Sequence, residues 1–254
     1  MLISITEKCR MNCPHCMDDA KCDSDRFMSF ETFKKVVEFN NRYDLSMTIT
    51  GGEPTEHPQF WEFMDYVVDK SYETNAITVV SNGQNLDQDT GELKERILSL
   101  SKRCKGYFGI QITSVPTLYP IQINLVNPIF HIKPVVIATE IEAMYPQGRA
   151  KDKDYDFSKV KGPKCFNIRS IIRSGNSFDQ AIQLLRFRLF KFCTPQIAYD
   201  GSIKVGESTL CPVVSHIDKP VSEIEKDIIN FKCKGCKELL DPMSDLHKTV
   251  IGEL

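Results

Sequence analysis

Three cysteines near the start of the chain have the spacing of a metal or iron–sulfur ligand set. Cys9, Cys13 and Cys16 follow the pattern C-x3-C-x2-C, which puts three thiols on one short loop. Three thiolates can bind three irons of a cubane cluster and leave the fourth iron without a protein ligand. An open coordination position is a place for chemistry, as it is on catalytic zinc. Short cysteine spacings also suit tetrahedral zinc, so a zinc knuckle with His15 or Cys22 is the alternative.

A second group of cysteines lies near the other end of the chain. It consists of Cys193, Cys211, Cys233 and Cys236, and the last two form a C-x2-C pair. Four thiolates can complete the ligation of one iron–sulfur cluster, or of one zinc ion in a zinc ribbon. The two groups are far apart in sequence, so the chain is predicted to hold two separate metal sites.

Cys165 lies between these two groups, in a Gly-Pro-Lys-Cys-Phe-Asn run. It is a candidate catalytic residue that could act as a radical relay or as an acid. The alternative is a small, buried, unreactive side chain.

The composition is that of a globular protein with no evident electrostatic partner. The chain has 254 residues, of which 41% are hydrophobic and 26% charged, and its formal net charge is −2. This length suits one large α/β unit, with or without a small appendage. The balanced charge gives no reason to expect nucleic acid or an anionic membrane as a partner.

The sequence carries no evident targeting or membrane signal. Its first residues lack the basic start and the long apolar stretch of a signal peptide, and no run of about 18 apolar residues predicts a membrane span. We therefore expect a cytoplasmic protein. In a reducing compartment, ten cysteines favour metal or cluster ligation over disulfides.

Strand-like and helix-like segments alternate in the part of the chain that must position these residues. Strands are predicted at residues 2–6, 46–50, 76–80 and 107–113, and two more at 121–126 and 135–139. Helices are predicted between the first four, with Ser29 and Thr90 as N-caps and Pro58 in a first helical turn. Residues 177–191 predict a long helix, and Asp200-Gly201 predicts a hairpin. The alternation predicts an α/β fold with a parallel sheet or barrel whose functional residues lie at the carboxyl ends of the strands.

A glycine-rich loop follows the second predicted strand. It reads Gly51-Gly52-Glu53-Pro54, and Ser81-Asn82-Gly83 follows the third strand in the same way. Two glycines let the backbone come close to a ligand, and the carboxylate can bind a cationic group.

Together, the cysteine triad, the glycine loop and the Ser-Asn-Gly turn resemble the radical S-adenosylmethionine (SAM) superfamily. The resemblance covers about residues 1–150 and implies a partial, incomplete (β/α)6-type barrel. It also implies that Cys9, Cys13 and Cys16 hold a [4Fe–4S] cluster whose open iron chelates SAM.

The same resemblance implies roles for further residues around SAM. Gly51, Gly52 and Glu53 would cradle the methionyl amino group, and Ser81 and Asn82 would lie near the ribose or carboxylate. His15 occupies a position where the family often has an aromatic residue near adenine. The histidine departs from that pattern, and a contact between His15 and adenine is an expectation to be tested. Thr113 matches a position often held by a SAM-facing serine, with a plain interior threonine as the alternative. Arg149, in a Gly-Arg-Ala turn, would meet SAM or substrate, with a surface arginine as the alternative.

The second cysteine group resembles the truncated, twitch-type form of the SPASM auxiliary domain. This resemblance implies a second, auxiliary [4Fe–4S] cluster on Cys193, Cys211, Cys233 and Cys236 that accepts an electron from the substrate. The expected organisation is a barrel over residues 1–150, a helical connection over 151–192 and a small cluster domain over 193–254.

The resemblance implies a radical SAM oxidoreductase or maturase. Such an enzyme reductively cleaves SAM to a 5′-deoxyadenosyl radical, with electrons from a donor such as flavodoxin or ferredoxin, and oxidatively modifies a substrate by hydrogen abstraction. The expected substrate is a peptide or protein side chain. The alternatives are a dehydrogenase of a small molecule, such as an aminocyclitol or sugar, and a non-catalytic metal-binding interaction protein.

Overall fold

The computed structural model contains eight strands and four α-helices within its described residues. Those residues are 1–43, 46–73, 75–87, 91–115, 117–119, 122–139, 148–152, 195–204 and 212–231. The strands are β1 (Leu2–Ser4), β2 (Met47–Thr50), β3 (Ala76–Ser81), β4 (Tyr107–Thr113), β5 (Val135–Ala138), β6 (Gln196–Ile197), β7 (Ser202–Lys204) and β8 (Val213–His216). The α-helices are α1 (Phe30–Arg42), α2 (Phe60–Asp69), α3 (Gly91–Arg103) and α4 (Val221–Asn230). Short 3-10 helices cover Pro54–Glu56, Pro128–His131 and Gly148–Asp152.

The eight strands form one sheet in the order β5-β4-β3-β2-β1-β6-β7-β8. All neighbours from β5 to β6 are parallel, and β7 and β8 add an antiparallel edge. The predicted α/β fold with a parallel sheet is confirmed, and so is the hairpin at Asp200-Gly201, which joins β6 to β7.

One face of this sheet is aliphatic and supports the helices. Its register brings branched residues side by side across the strands, and each of them is buried: Ile197, Ile3, Ile49, Val79, Ile110 and Val135. They belong to a single hydrophobic cluster with buried residues of all four helices. In this cluster the rings of Phe33 and Phe63 stack at 4.2 Å and join α1 to α2. Burial of this apolar face provides the main driving force for the fold.

The helix starts follow local capping, with one correction. Ser29 caps α1 as predicted, because its hydroxyl accepts a hydrogen bond from the backbone N–H of Thr32. The prediction for Pro58 is wrong, since α2 begins two residues later, at Phe60. His57 turns the chain there: its Nδ1 accepts from Gln59 N, and its carbonyl accepts from Phe60 N.

The prediction of a strand at 121–126 is also wrong. Residues 122–126 form no strand, and a 3-10 helix follows at Pro128–His131. Asn127 redirects the chain: its Oδ1 accepts from Ile129 N, and its Nδ2 donates to the carbonyl of Asp87. Local side-chain bonds of this kind compete with strand pairing.

Residues 195–204 extend the same sheet, because β6 pairs in parallel with β1. The division of the chain at residue 193 stays a prediction. The helix expected at 177–191, the cap at Thr90, Cys165 and the second cysteine group all lie outside the described residues. Within the described residues, the helices are too short or too polar to cross a bilayer.

Candidate functional site

The cysteine loop and the glycine loop are bonded to one another at the carboxyl ends of β1 and β2. Gly52 N donates to the carbonyl oxygen of Thr6 at 2.7 Å, and Glu53 N donates to that of Lys8 at 2.7 Å. Thr6 and Lys8 form the approach to Cys9, so these bonds fix the start of the cysteine loop against the glycine loop. Carboxyl ends of parallel strands are where α/β folds bind ligands.

The two glycines are required by this close approach of two backbones. A Cβ added to Gly51 would lie 2.4 Å from the Thr6 carbonyl oxygen, and one added to Gly52 would lie 2.3 Å from that of Lys8. The sequence predicted that the glycines bring the backbone close to a ligand. The structure shows them bringing it close to the cysteine loop, and a contact with SAM stays a prediction.

Glu53 lies behind the glycine loop and connects β2 to β3. It is 1% exposed. Its Oε1 accepts from Ser81 Oγ at 2.8 Å and from Thr55 N at 3.1 Å, and its Oε2 accepts from Asn82 N at 2.8 Å. Burial raises the pKa of Glu53, and the bonds from Thr55, Asn82 and Ser81 oppose that shift. The Glu53 side chain therefore positions the loops, and a direct contact of Glu53 or Ser81 with SAM stays a prediction.

The three cysteines share a partly buried loop. Cys13 is buried, and Cys9 and Cys16 are partly exposed. Two N–H groups point at their sulfurs: Asn82 Nδ2 lies 3.8 Å from Cys9 Sγ, and Ala20 N lies 3.4 Å from Cys16 Sγ. Hydrogen bonds to ligand sulfurs are one of the means by which proteins tune iron–sulfur clusters.

The pKa values of the cysteines in this loop are consistent with binding to a cationic iron–sulfur core. Burial raises the pKa of Cys9 to about 12, with Glu53 adding to the effect, and burial and the neighbouring Cys16 raise the pKa of Cys13 to about 11. Thiolates here need positive charge, which ligated iron supplies. No three His, Cys, Asp or Glu side chains in the described part of the chain are placed to hold one metal ion. A cubane, unlike one ion, takes each thiolate on a different iron.

Arg149 clamps the cysteine loop through hydrogen bonds to backbone carbonyl oxygens. Its Nε donates to the carbonyl oxygen of Cys13 at 3.0 Å, and its Nη1 donates to that of Ala20 at 2.6 Å. Its backbone N–H donates to the carbonyl of Cys16 at 2.9 Å. Gly148 has a φ of +55°, and a Cβ there would lie 2.6 Å from the same Cys16 oxygen. Contact of Arg149 with SAM or substrate stays a prediction, and the sequence did not indicate the clamp.

A second contact holds the loop beside Cys9 and was also missed from the sequence. Arg10 N donates to Glu56 Oε1 at 2.8 Å, and Arg10 Nη2 donates to Asn85 Oδ1 at 2.6 Å. Asn85 Nδ2 donates in turn to Thr55 Oγ1 at 3.0 Å. Glu56 lies two residues after the glycine loop in the sequence, and this proximity was the signal available for predicting the contact. The cysteine loop is thus held on two sides.

His15 and Tyr119 pack together beside the cysteines. Their ring centroids are 4.8 Å apart at an interplanar angle of 65°. His15 is buried, and its Nδ1 has no hydrogen-bond partner. Burial lowers the pKa of His15, so the ring is neutral at pH 7. The adenine contact predicted for His15 stays a prediction.

Tyr119 was missed from the sequence because it lies in the loop after β4. Burial and the charge of Cys13 raise its pKa, and a hydrogen bond with Thr113 opposes that shift. Tyr119 therefore links Thr113, at the end of β4, to His15 in the cysteine loop. Whether Thr113 also faces SAM stays a prediction.

A comparison with protein families gives one match to this part of the chain. Residues 3–127 match the model of the Radical SAM superfamily. That segment contains the cysteine triad, the glycine loop, the Ser-Asn-Gly turn and strands β1 to β4 apart from the first residue of β1.

Curated relatives match over a shorter stretch. A probable GTP 3′,8-cyclase of Pyrococcus horikoshii is 32% identical over 91 residues, which are 34% of this chain and 29% of the relative. The antilisterial bacteriocin subtilosin biosynthesis protein AlbA of Bacillus subtilis is 33% identical over 91 residues, 35% of this chain and 19% of the relative. The matched region thus spans less than a third of either relative.

A solved structure is similar in fold to this chain. BtrN in complex with AdoMet and 2-DOIA matches with a TM-score of 0.53 at 12% sequence identity, covering 98% of this chain and 85% of that one. At this identity the likeness concerns the fold alone. The family match implies SAM and a [4Fe–4S] cluster as cofactors and supports an enzyme. Residues 3–127 of this chain form a Radical SAM superfamily domain.

Proposed function

We propose that this protein is a radical SAM enzyme that oxidatively modifies its substrate after hydrogen abstraction, and that the substrate is a peptide or protein side chain. The observation that supports this best is the direct bonding of the cysteine loop to the glycine loop through Gly52 N and Glu53 N. It puts a three-thiol ligand set beside a backbone cradle at one edge of a parallel sheet.

Each residue of the site has a proposed role in this reaction. Cys9, Cys13 and Cys16 hold three irons of a [4Fe–4S] cluster, and the Asn82 side chain donates to the Cys9 sulfur. The glycine loop and the turn at Ser81 bind SAM. When bound, the cluster and SAM supply a one-electron cleavage of the sulfonium C–S bond and a 5′-deoxyadenosyl radical that takes a substrate hydrogen.

The protein's own contribution is to hold these groups in place and to limit water. Glu53 fixes the end of β3 against the glycine loop, and Arg149 and Arg10 hold the two sides of the cysteine loop. Neutral, buried His15 and the partly buried Tyr119 pack together beside the thiols. Such preorganisation favours radical chemistry over side reactions.

We further propose that Cys193, Cys211, Cys233 and Cys236 hold an auxiliary [4Fe–4S] cluster. The support is their number and spacing in the sequence. Four thiolates leave no iron open, so the cluster would accept the electron that the substrate radical loses. A donor such as flavodoxin or ferredoxin would supply the first electron.

The proposal of a peptide substrate rests on the curated relatives of this domain. One relative is a bacteriocin biosynthesis protein, while another is a probable GTP cyclase. Both matches cover about a third of this chain, so they support the shared chemistry more than a shared substrate.

The test is reductive SAM cleavage by the anaerobically reconstituted protein. We expect 5′-deoxyadenosine on addition of dithionite and SAM, and about eight irons per chain for two cubanes or about four for one. The triple variant Cys9→Ala, Cys13→Ala, Cys16→Ala should lose SAM cleavage. Cys22→Ala, an exposed cysteine of the same segment, should keep it. Bound zinc with no 5′-deoxyadenosine from the wild-type protein would contradict the proposal and favour a non-catalytic metal-binding protein.

A further inference from the structure

The side chain of Asn82 is oriented so that its amide nitrogen is directed at a cysteine sulfur. Asn82 directly follows β3 and is 9% exposed. Its Oδ1 accepts a hydrogen bond from Gln84 N at 2.9 Å, and its Nδ2 lies 3.8 Å from Cys9 Sγ. Only the oxygen of an amide accepts from an N–H group, so the bond from Gln84 fixes which end of this amide faces the sulfur.

The backbone that carries this amide is held by buried groups outside the cysteine loop. Asn82 N donates to Glu53 Oε2 at 2.8 Å, and Ser81 Oγ donates to Glu53 Oε1 at 2.8 Å. Gly83 N donates to Ser81 Oγ at 3.0 Å. Gly83 has a φ of +80°, and a Cβ there would lie 2.9 Å from Ile112 Cγ2. None of these contacts involves the cysteine loop, so the end of β3 and the glycine loop preorganise the donor.

This donor differs in kind from the one that serves Cys16. Ala20 N lies 3.4 Å from Cys16 Sγ, and it is a backbone group four positions further along the same loop. The donor to Cys9 is a side chain 73 positions away, attached to another strand. A substitution can therefore remove the donor to Cys9 and leave the backbone of the cysteine loop intact.

A donor at a ligand sulfur acts on the redox equilibrium of a bound cluster. Hydrogen bonds to the sulfurs are among the factors that set the reduction potential of iron–sulfur clusters. An added electron increases the negative charge that the sulfur ligands carry, and an N–H dipole directed at such a sulfur stabilises the reduced form more than the oxidised form. Loss of the donor should therefore make the cluster harder to reduce.

We propose that Asn82 is a positioning residue that raises the reduction potential of the cluster on Cys9, Cys13 and Cys16 by donating from Nδ2 to Cys9 Sγ. The inference rests on the proposed function and adds control of its first electron transfer. The contact between Asn82 and SAM that the sequence predicts is a separate matter, so the potential is measured without SAM.

The first test is a redox titration of the anaerobically reconstituted, full-length protein, followed by electron paramagnetic resonance. The signal that the triple variant Cys9→Ala, Cys13→Ala, Cys16→Ala lacks belongs to this cluster. Asn82→Leu removes the amide and stays neutral, while Asn82→Asp keeps an oxygen for Gln84 N and removes the donor. In both variants the equilibrium constant for reduction should fall at least about fivefold, which is about 40 mV to more negative potential.

Asn124→Asp is the matched control for the substitution. Asn124 is exposed, and its Oδ1 accepts from Val126 N at 3.3 Å, the same bond to the second residue onward that Asn82 makes. Its replacement should leave the potential unchanged. Wild-type potentials in both cluster-loaded Asn82 variants would overturn the proposal. A shift in only one of them would also overturn it, because it would report the added charge or the lost bond to Gln84.

The second test uses the wild-type sequence and does not depend on the stability of a variant. Protein labelled with nitrogen-15 in the asparagine side-chain amides should show a nitrogen-15 coupling to the reduced cluster in pulsed electron paramagnetic resonance. Asn12 is exposed in the cysteine loop, and Asn12→Asp should leave this coupling unchanged. Absence of the coupling, or its loss in Asn12→Asp, would overturn the proposal.

The proposed function is tested separately, by 5′-deoxyadenosine formation in the wild-type protein. Wild-type protein that cleaves SAM, with neither the shift in potential nor the coupling, would retain the proposed reaction and lose only this role of Asn82. Wild-type protein that takes up no iron–sulfur cluster would contradict the proposed function, and this inference with it.

Discussion

The guanidinium of Arg149 donates from Nε to the carbonyl oxygen of Cys13 at 3.0 Å, across 136 positions of the chain. The same side chain reaches the carbonyl of Ala20, so one arginine spans the end of the cysteine loop. Burial raises the pKa of Cys9 and of Cys13, and a neighbouring cysteine adds to each shift. The two bonds from Arg149 hold the backbone that carries these thiols. Arg149 is therefore a positioning residue for the proposed cluster.

Arg149→Ala is expected to lower both stability and cluster occupancy. Loss of these bonds leaves partly buried carbonyls unpaired, which costs about 1–3 kcal/mol in the free energy of unfolding. Iron content and the spectroscopic signal of the reduced cluster should fall, and Arg149→Lys should restore them only in part because lysine lacks the planar fork. Iron analysis and electron paramagnetic resonance measure this directly.

The control for that experiment is Arg96→Ala. Arg96 forms an exposed ion pair with Asp65 at 3.1 Å, so its loss should change stability by less than about 1 kcal/mol and leave iron content unchanged. Equal iron content in the Arg149→Ala and Arg96→Ala proteins would show that the cluster loop forms without the clamp.

Gly52→Ala is expected to be destabilising through a steric effect. Its Cβ would lie 2.3 Å from the carbonyl oxygen of Lys8, and backbone atoms there cannot move without breaking the bond between Glu53 N and Lys8. Overpacking of this kind costs about 1–3 kcal/mol, measured as a lower midpoint in denaturant. Gly91→Ala provides the matched control because a Cβ at Gly91 has no neighbour within 4 Å. If both variants unfold at the same midpoint, the two loops do not approach as described.

Glu53→Gln is expected to change how stability depends on pH. Burial raises the pKa of Glu53 above its ordinary value of 4.5, so ionisation is less favourable in the folded protein than in the unfolded chain. The stability that this group contributes is full below pH 4.5 and is lost as pH rises through the folded-state pKa. Glutamine does not ionise. The stability of the Glu53→Gln protein relative to the wild type should therefore increase as pH rises from 4.5.

Urea unfolding of the cluster-free proteins at a series of pH values measures this difference. Glu31→Gln is a suitable control, since Glu31 lies on the surface of α1 with a side chain 75% exposed. A constant difference between wild type and Glu53→Gln across the series would mean that Glu53 titrates as a solvated carboxyl.

The sequence predicted the parallel sheet and the placement of its motifs because both depend on local patterns. The spacing of Cys9, Cys13 and Cys16, and the glycines that follow β2, can be read from neighbouring residues. The clamp by Arg149 and the packing of Tyr119 on His15 join residues more than 100 positions apart, and no local pattern encodes such contacts. The strand wrongly expected at 121–126 has suitable residues, but the Asn127 side chain offers the backbone another partner.

His15 offers a test of the SAM site that does not depend on turnover. If its buried ring borders the adenine, His15→Ala should weaken equilibrium binding of SAM to the cluster-loaded protein by about tenfold, while His15→Phe should retain most of the affinity because it keeps an aromatic surface. His131→Ala is the control, since that exposed histidine bonds to the carbonyl of Leu125 at 2.9 Å. Equal affinity of the His15→Ala and wild-type proteins would place SAM away from this ring, and Tyr119 would then have only a packing role.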